Sequence, residues 1–209
     1  MNNLRKSTRK FFAVAILATI SVSCRAESSQ FIGLVRDEPL DVSSVYLSEE
    51  TNSMLATPFN TVAAPGELLI LFFGYTNCPD ICPTTLADVR AAFARIGDDA
   101  NRVAVAFVTV DPERDTAQLL TNYLSSFVDR FHVLRTTDFN ELQVAKDAFL
   151  AASAIQKTTD GTIEVSHTAT AYIINESGLV VDELPFGVGV DGFENDLKIL
   201  LREIEPNNS

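Results

Sequence analysis

Two cysteines, Cys78 and Cys82, are separated by three residues, a spacing that lets both sulfurs converge on one point. Thiolate pairs select soft metal ions such as Cu(I), and they also interconvert with a disulfide. A disulfide that closes so short a loop constrains the unfolded chain very little and would add little to the stability of the fold. Stabilisation is therefore a poor explanation for the pair. The spacing therefore indicates sulfurs that react or bind metal.

The cysteines lie where a predicted strand gives way to a predicted helix. Residues 68–73 are a continuous apolar run followed by Gly74, which is typical of a strand buried on both faces. From Thr84 the apolar residues recur at helical spacing. Pro83 suits the first helical position, which places Cys82 at the helix N-terminus, where the helix dipole and free N–H groups favour a thiolate.

The remaining pattern predicts an α/β domain. Strands and helices alternate, which favours a mixed central sheet flanked by helices. Reactive thiols at the first strand–helix junction are the arrangement of a thioredoxin-like fold, here with an N-terminal hairpin extension and a domain over 45–205. The predicted elements are a hairpin over 45–59, strands over 68–73, 103–110 and 131–134, helices over 84–97, 115–127, 140–152 and 192–204, a polar turn over 158–162, and a hairpin over 170–183.

Only two histidines are available to complete a metal site. His167 lies on the loop before the predicted strand Thr170–Ile174, and in a thioredoxin-like fold that loop faces the cysteine junction. An imidazole there would complete a three-coordinate site with two sulfurs, whereas a closed structural zinc site would need a fourth ligand. His132 begins a predicted strand and is interpreted as structural or exposed.

Asp111 and Arg114 follow the second buried strand, near the same sheet edge as the cysteines. One interpretation is that the segment has only a local structural function, in which the proline ends the strand and Asp115 or Thr116 caps the next helix. The other interpretation gives Asp111 and Arg114 a supporting role behind the metal ligands or a contact with a partner. The sequence leaves both open.

The first 23 residues resemble a bacterial secretory signal. Four basic residues precede the apolar run Phe11–Ile20, which is shorter than the ~20 residues that span a bilayer. Small residues before Cys24 predict a lipoprotein signal with Cys24 as the lipidated N-terminus, followed by a tether over 24–44. A cut after Ala26 and an uncleaved anchor are the alternatives. All three place the domain outside the cytoplasm, on the periplasmic or outer face of the cytoplasmic membrane.

Charge excludes one class of function. The chain has 16 basic and 28 acidic residues, a net charge of −12, and four of the bases lie in the signal segment. Such a body repels phosphate backbones, so we expect no nucleic-acid partner. An oxidising compartment favours a disulfide between the two domain cysteines.

Three segments resemble motifs of the Sco/SenC family. Residues 73–86, FGYTNCPDICPTTL, are similar to its first motif, and 110–116 and 166–172 to its other two, in the same order. The resemblance covers roughly residues 40–204. It implies a membrane-associated, thioredoxin-fold copper protein that helps assemble the CuA centre of cytochrome c oxidase. Residues 131–137, FHVLRTT, depart from the Gly-Leu-Thr-Gly-like stretch that the family usually has there.

The same resemblance implies one Cu(I) or Cu(II) per chain, held by Cys78, Cys82 and His167. The implied partners are the oxidase copper-site subunit, a thiol reductant and, through the N-terminal anchor, the membrane. Two other functions stay open: a thiol–disulfide oxidoreductase that reduces the cysteines of the oxidase copper site, and a copper sensor or buffer, or a peroxide-reducing relative. Copper binding needs His167, whereas a pure dithiol reductase does not.

Overall fold

The computed structural model describes residues 30–50 and 56–204, so the predicted signal segment and Cys24 lie outside the described residues. The strands are β1 Tyr46–Glu49, β2 Thr57–Asn60, β3 Leu68–Gly74, β4 Val103–Thr109, β5 Phe131–Leu134, β6 Ser153–Lys157, β7 Ile163–His167, β8 Thr170–Ile174 and β9 Val180–Pro185. Seven of them form a central mixed sheet in the order β2-β1-β5-β4-β3-β8-β9, and β6 and β7 form a separate hairpin. The helices are α1 Ile81–Ile96, α2 Ala117–Leu124, α3 Phe139–Ala148 and α4 Gly189–Glu203.

Strands β3 and β4 form the middle of the core. All seven residues of each strand are buried, and the two strands pair in parallel from Leu68 with Val103 to Gly74 with Thr109. Continuous apolar runs of this kind form strands that are covered on both faces. Because the strands are parallel, the connections that follow them emerge at one edge of the sheet, which brings the cysteine loop beside the segment containing Asp111.

The predicted fold class is confirmed. The sheet is mixed because β3, β4 and β5 are parallel while β8 and β9 are antiparallel to their neighbours. The predicted N-terminal hairpin is β1 and β2, which pairs with β5 at one side of the sheet.

Helix ends differ from the prediction by three or four residues, and one hairpin was not predicted. Helix α1 begins at Ile81 rather than Thr84, because Pro83 still lies in the first turn, where N–H groups have no helical partner. Helix α3 ends at Ala148 rather than at residue 152, a turn follows, and β6 begins at Ser153. The β6–β7 hairpin was not predicted, because its residues are largely exposed and give little apolar periodicity.

The described part of the predicted tether packs on the domain. Leu34 and Asp41 make antiparallel bridges to Glu183 and Leu179, and Val42 is fully buried. This edge segment covers the outer side of β9. Across residues 30–50 and 56–204, none of the helices has the length and apolar character that crossing a bilayer requires.

Two buried carboxyl groups lie beneath the edge segment. Asp196 on α4 accepts hydrogen bonds from the backbone N–H groups of Ile32 at 2.9 Å and Gly33 at 2.7 Å. Asp182 on β9 is 1% exposed and lies beside the Asp196 carboxyl group. A Cβ on Gly33 would lie 2.1 Å from Asp182 Oδ1, so only glycine allows this close approach. Burial, and then the neighbouring Asp196 carboxylate, raise the pKa of Asp182 to about 8.

This raised pKa predicts a pH-dependent stability. Between pH 4 and pH 8, approximately, folded Asp182 keeps a proton that the unfolded chain releases, so its contribution is complete below the unfolded pKa and is lost as the pH rises toward 8. Asp182→Asn, which is neutral at every pH, should flatten this decline, whose limiting slope is about 1.4 kcal/mol per pH unit. Denaturant unfolding of metal-free protein from pH 5 to pH 9 measures the slope. The exposed Asp37→Asn is the matched control and should keep the wild-type slope; an unchanged slope in Asp182→Asn would contradict the prediction.

Candidate metal centre

The cysteine loop follows directly from β3. A turn in which the Cys78 N–H donates to the Tyr75 carbonyl at 3.2 Å reverses the chain, and α1 then begins at Ile81. Cys82 is completely buried in the first helical turn, and its N–H donates to Cys78 Sγ at 3.4 Å. Both cysteines are free thiols. The helix N-terminus therefore directs an N–H group at the Cys78 sulfur.

Gly74, the last residue of β3, makes room for the Cys82 sulfur. A Cβ at this position would lie 2.9 Å from Cys82 Sγ and 2.7 Å from Cζ of Phe107. Neither neighbour can retreat easily, since both are fully buried. The Cys82 sulfur can therefore lie where it does only because residue 74 has no side chain.

Gly74→Ala should consequently move Cys82 Sγ and weaken metal binding. We expect copper affinity to fall by about 10–100-fold, the range associated with disturbing a group that orients a ligand, with a stability loss of about 1–3 kcal/mol from overpacking. Competition titration against a copper chelator measures the affinity. The control is Ala92→Gly, which removes a buried methyl group from α1 away from the Cys82 sulfur and should keep the wild-type affinity. Gly97→Ala would not serve, because Gly97 has a φ of +65°, which strains any other residue. Equal affinity in Gly74→Ala and wild type would show that the close approach is irrelevant to the site.

His167 reaches the sulfurs from the other side. It ends β7, where it pairs with Ser153 of β6. Its Nδ1 donates to the Thr168 carbonyl oxygen at 3.0 Å, so Nε2 is the acceptor nitrogen and faces the Cys82 thiol, with 3.5 Å between Nε2 and Sγ. The ligand atoms of Cys78, Cys82 and His167 all lie within 4.8 Å of one another. The structure thus brings together the three residues that the sequence singled out.

Burial sets the protonation of this cluster. It lowers the pKa of His167, so the imidazole is neutral at neutral pH and can donate its lone pair. Burial also raises the pKa of the Cys82 thiol, with the nearby Cys78 and Asp115 adding to the increase. The prediction that the helix N-terminus makes Cys82 a thiolate is therefore wrong for the metal-free protein, because desolvation outweighs the dipole. A soft cation would have to displace that proton on binding.

Aromatic side chains enclose the imidazole. The rings of Phe72 and Tyr75 lie with centroids 5.9 Å and 5.8 Å from that of His167, both nearly perpendicular to it. The Tyr75 hydroxyl also donates to the Val165 carbonyl at 3.4 Å, which ties the cysteine loop to β7. These contacts hold the ring in place relative to the thiols.

The sequence missed the function of Asp115 as an anchor for the cysteine loop. Its completely buried carboxylate accepts hydrogen bonds from the Thr76 N–H at 3.1 Å, the Thr76 hydroxyl at 2.5 Å and the Thr109 hydroxyl at 2.6 Å. The α2 helix is capped by Thr116, which accepts from the Leu119 N–H at 3.2 Å. The sequence feature that could have indicated this anchor is Thr109, which ends β4, because its hydroxyl needs a hydrogen-bond partner once it is buried.

Asp111 and Arg114 form an ion pair at the edge of the centre. Arg114 Nε donates to the buried Asp111 carboxylate at 2.5 Å, and burial raises the pKa of Asp111 while Arg114 opposes that rise. Arg114 also lines a groove with Tyr75, Asn77 and Pro79, so it lies at the mouth of the cysteine loop. Neither residue is among the three clustered donors.

Two residues of the atypical segment 131–137 have structural partners. Arg135 donates to the carbonyls of Pro112 at 2.8 Å and Asp115 at 2.6 Å, and so holds the connection after β4. His132 Nδ1 lies 2.7 Å from Glu49 Oε1, and its ring packs on Phe59 with centroids 4.4 Å apart. The second histidine is thus engaged with β1 and β2, apart from the thiols.

Comparison with known families and proteins agrees with this site. The model of the SCO1/SenC family matches residues 54–201, a range that contains all three donors. A Stutzerimonas stutzeri protein that is named for copper binding is 28% identical over 202 residues, which cover 96% of this chain and 97% of that protein. The mitochondrial SCO2 homolog of Danio rerio is 34% identical over 119 residues, which cover 56% of this chain and 43% of that protein.

Solved structures show the same fold. Apo Sco1 from Thermus thermophilus matches with a TM-score of 0.70 and 28% identity, over 83% of this chain and 99% of that one. Copper-bound ScoI of Bradyrhizobium japonicum matches with a TM-score of 0.62 and 30% identity, over 74% of this chain and 96% of that one. The similarity therefore extends through the sheet and the connections that carry the donors.

Proposed function

Because this chain belongs to the SCO1/SenC family, we propose that it is a copper metallochaperone that delivers copper to the CuA site of cytochrome c oxidase during assembly. The observation that carries the proposal is the convergence of two thiols and one neutral imidazole within 4.8 Å. Two thiolates and an imidazole are a donor set that suits copper, and the thiolates favour Cu(I) in particular. The copper-bound Bradyrhizobium relative supports the same cargo.

The site is arranged for transfer as well as binding. Cys78 and His167 line an open groove of about 360 Å³ with Tyr75, Pro79 and Ile81, whereas Cys82 is completely enclosed. A recipient cysteine can therefore approach the Cys78 side and replace the donors one at a time. Cys82 would be the last ligand to release the copper.

Delivery to an oxidase requires the exported location that the N-terminal sequence predicts. We propose that the domain lies on the periplasmic or outer face of the cytoplasmic membrane, held there by a lipid on Cys24. A thiol reductant is required in that compartment, since a disulfide between Cys78 and Cys82 leaves no thiolate to bind copper.

A second candidate function is reduction of the oxidase subunit's own cysteines. The unequal exposure of the two thiols favours it, because the Cys78 sulfur can attack a target disulfide and the buried Cys82 can then displace the target. Two electrons and two protons would pass to the target thiols, leaving a Cys78–Cys82 disulfide for the external thiol reductant to reduce.

Complementation of a deletion strain tests both functions. Membranes of cells that lack this protein should contain cytochrome c oxidase deficient in copper and activity, and wild-type protein should restore both. A variant with His167→Ala keeps the dithiol–disulfide couple but loses the third copper donor. It should therefore fail if delivery from the three-donor site is the function, and succeed if thiol reduction is. Full oxidase copper and activity in the deletion strain would overturn both candidates.

A further inference from the structure

A second groove, separate from the copper site, lies between α3, β6 and the connection after β4. It encloses about 580 Å³, and its lining includes Pro112, Phe139, Leu142, Lys146 and Ile155. Phe139 is 72% exposed and Ile155 is 51% exposed, so two large apolar side chains on its walls have no covering from the described fold. Exposed apolar walls of this kind mark surfaces that contact another molecule.

The floor of this groove holds a buried positive charge. Lys146 is only 6% exposed. Its ammonium group donates to the Ser153 hydroxyl at 3.2 Å and lies 5.8 Å from the centroid of the Phe139 ring. Within residues 30–50 and 56–204 it has no carboxylate partner within salt-bridge distance, although Glu113 and Asp138 also line the groove. Buried charges are ordinarily paired, and an ammonium has three donors, so Lys146 has hydrogen bonds left to make.

We propose that this groove docks a segment of a partner protein that carries an acidic side chain next to an apolar one. The carboxylate binds Lys146 Nζ, and the apolar side chain packs between Phe139 and Ile155. The Lys146 ammonium selects an occupant with a carboxylate, because a purely apolar segment would bury the ammonium further without pairing it. The Glu113 and Asp138 carboxylates in the lining disfavour a segment with more than one acidic side chain.

The groove lies close to the copper site through the β6–β7 hairpin. Ser153, which lines the groove and contacts Lys146, is the register partner of His167 in the β6–β7 hairpin. A segment seated on β6 is therefore one strand away from the imidazole of the copper site. The groove does not depend on copper for its chemistry, so docking can be tested apart from the proposed function.

Amide NMR of the purified, metal-free protein tests the proposal with two peptides. The probe is acetyl-Ala-Leu-Glu-Leu-Ala-amide, and its counterpart has Gln in place of Glu. We expect the Glu peptide to shift the amide signals of Phe139, Lys146 and Ile155, and the Gln peptide to bind at least about tenfold more weakly, as loss of a charge-assisted hydrogen bond implies.

Matched variants separate the two parts of the interaction. Lys146→Met should remove the preference for Glu, whereas Lys157→Met, at the end of β6 and outside the groove lining, should keep it. Phe139→Ser should weaken both peptides, whereas Val144→Ser, on the same helix and 62% exposed, should weaken neither. Equal binding of both peptides to wild-type protein, tighter binding of free hexanoate than of the peptide, or self-association that shifts the same signals without peptide would each overturn the proposal.

Discussion

Replacing either Cys78 or Cys82 with serine is expected to reduce copper binding from one ion per chain to none that survives desalting. Soft thiolates supply most of the affinity for Cu(I), and a serine hydroxyl is neither soft nor ionised at neutral pH. The two ligand atoms that remain in each variant lie within 4.8 Å of each other but include only one sulfur. Metal analysis of reduced, copper-loaded protein measures the change directly.

Two controls show whether the loss is specific to the site. Cys24→Ser removes the remaining cysteine of the chain and should leave the stoichiometry unchanged. His132→Ala removes an imidazole that contacts Glu49 and Phe59, apart from the thiols, and should also bind one copper. Since Cys82 is fully buried and serine there costs about 1–3 kcal/mol without a partner, Cys82→Ala provides a second test in a packed core. Stoichiometric copper in any of the Cys78 or Cys82 variants would refute the ligand assignment.

The central strands and the position of the thiols at a strand–helix junction could be predicted from local sequence patterns. Strands β3 and β4 are continuous apolar runs, and a run that is buried along its whole length has few alternatives to a central strand. The loop carrying Cys78 then had to lie at the strand end. His167 could be placed opposite it only by analogy with a known fold, because nothing near it in the chain indicates the thiols.

Contacts between distant parts of the chain account for what the sequence could not predict. Asp115 resembles a helix cap locally, but its carboxylate bonds to Thr76, which is 39 residues away. The pKa of Cys82 depends on burial by the whole fold, so the local helix N-terminus gave the wrong direction. Lys146 resembles an ordinary surface lysine on an amphipathic helix until the exposed β6–β7 hairpin covers it.

His167→Ala is expected to lower Cu(II) affinity by more than about 100-fold, beyond the cost of losing a group that merely orients a ligand, while both thiols still bind Cu(I). Imidazole suits Cu(II), whereas thiolates favour Cu(I), and the acceptor nitrogen of His167, Nε2, faces Cys82 Sγ at 3.5 Å while Nδ1 donates to Thr168. Chelator competition in each oxidation state measures the two affinities, and the reduction potential of the Cys78–Cys82 couple reports that the thiols are undisturbed. His132→Ala is the matched control, because that ring contacts Glu49 and Phe59 instead. If His132→Ala lost Cu(II) and His167→Ala did not, the imidazole ligand would be the other histidine and the three-donor centre would be wrong.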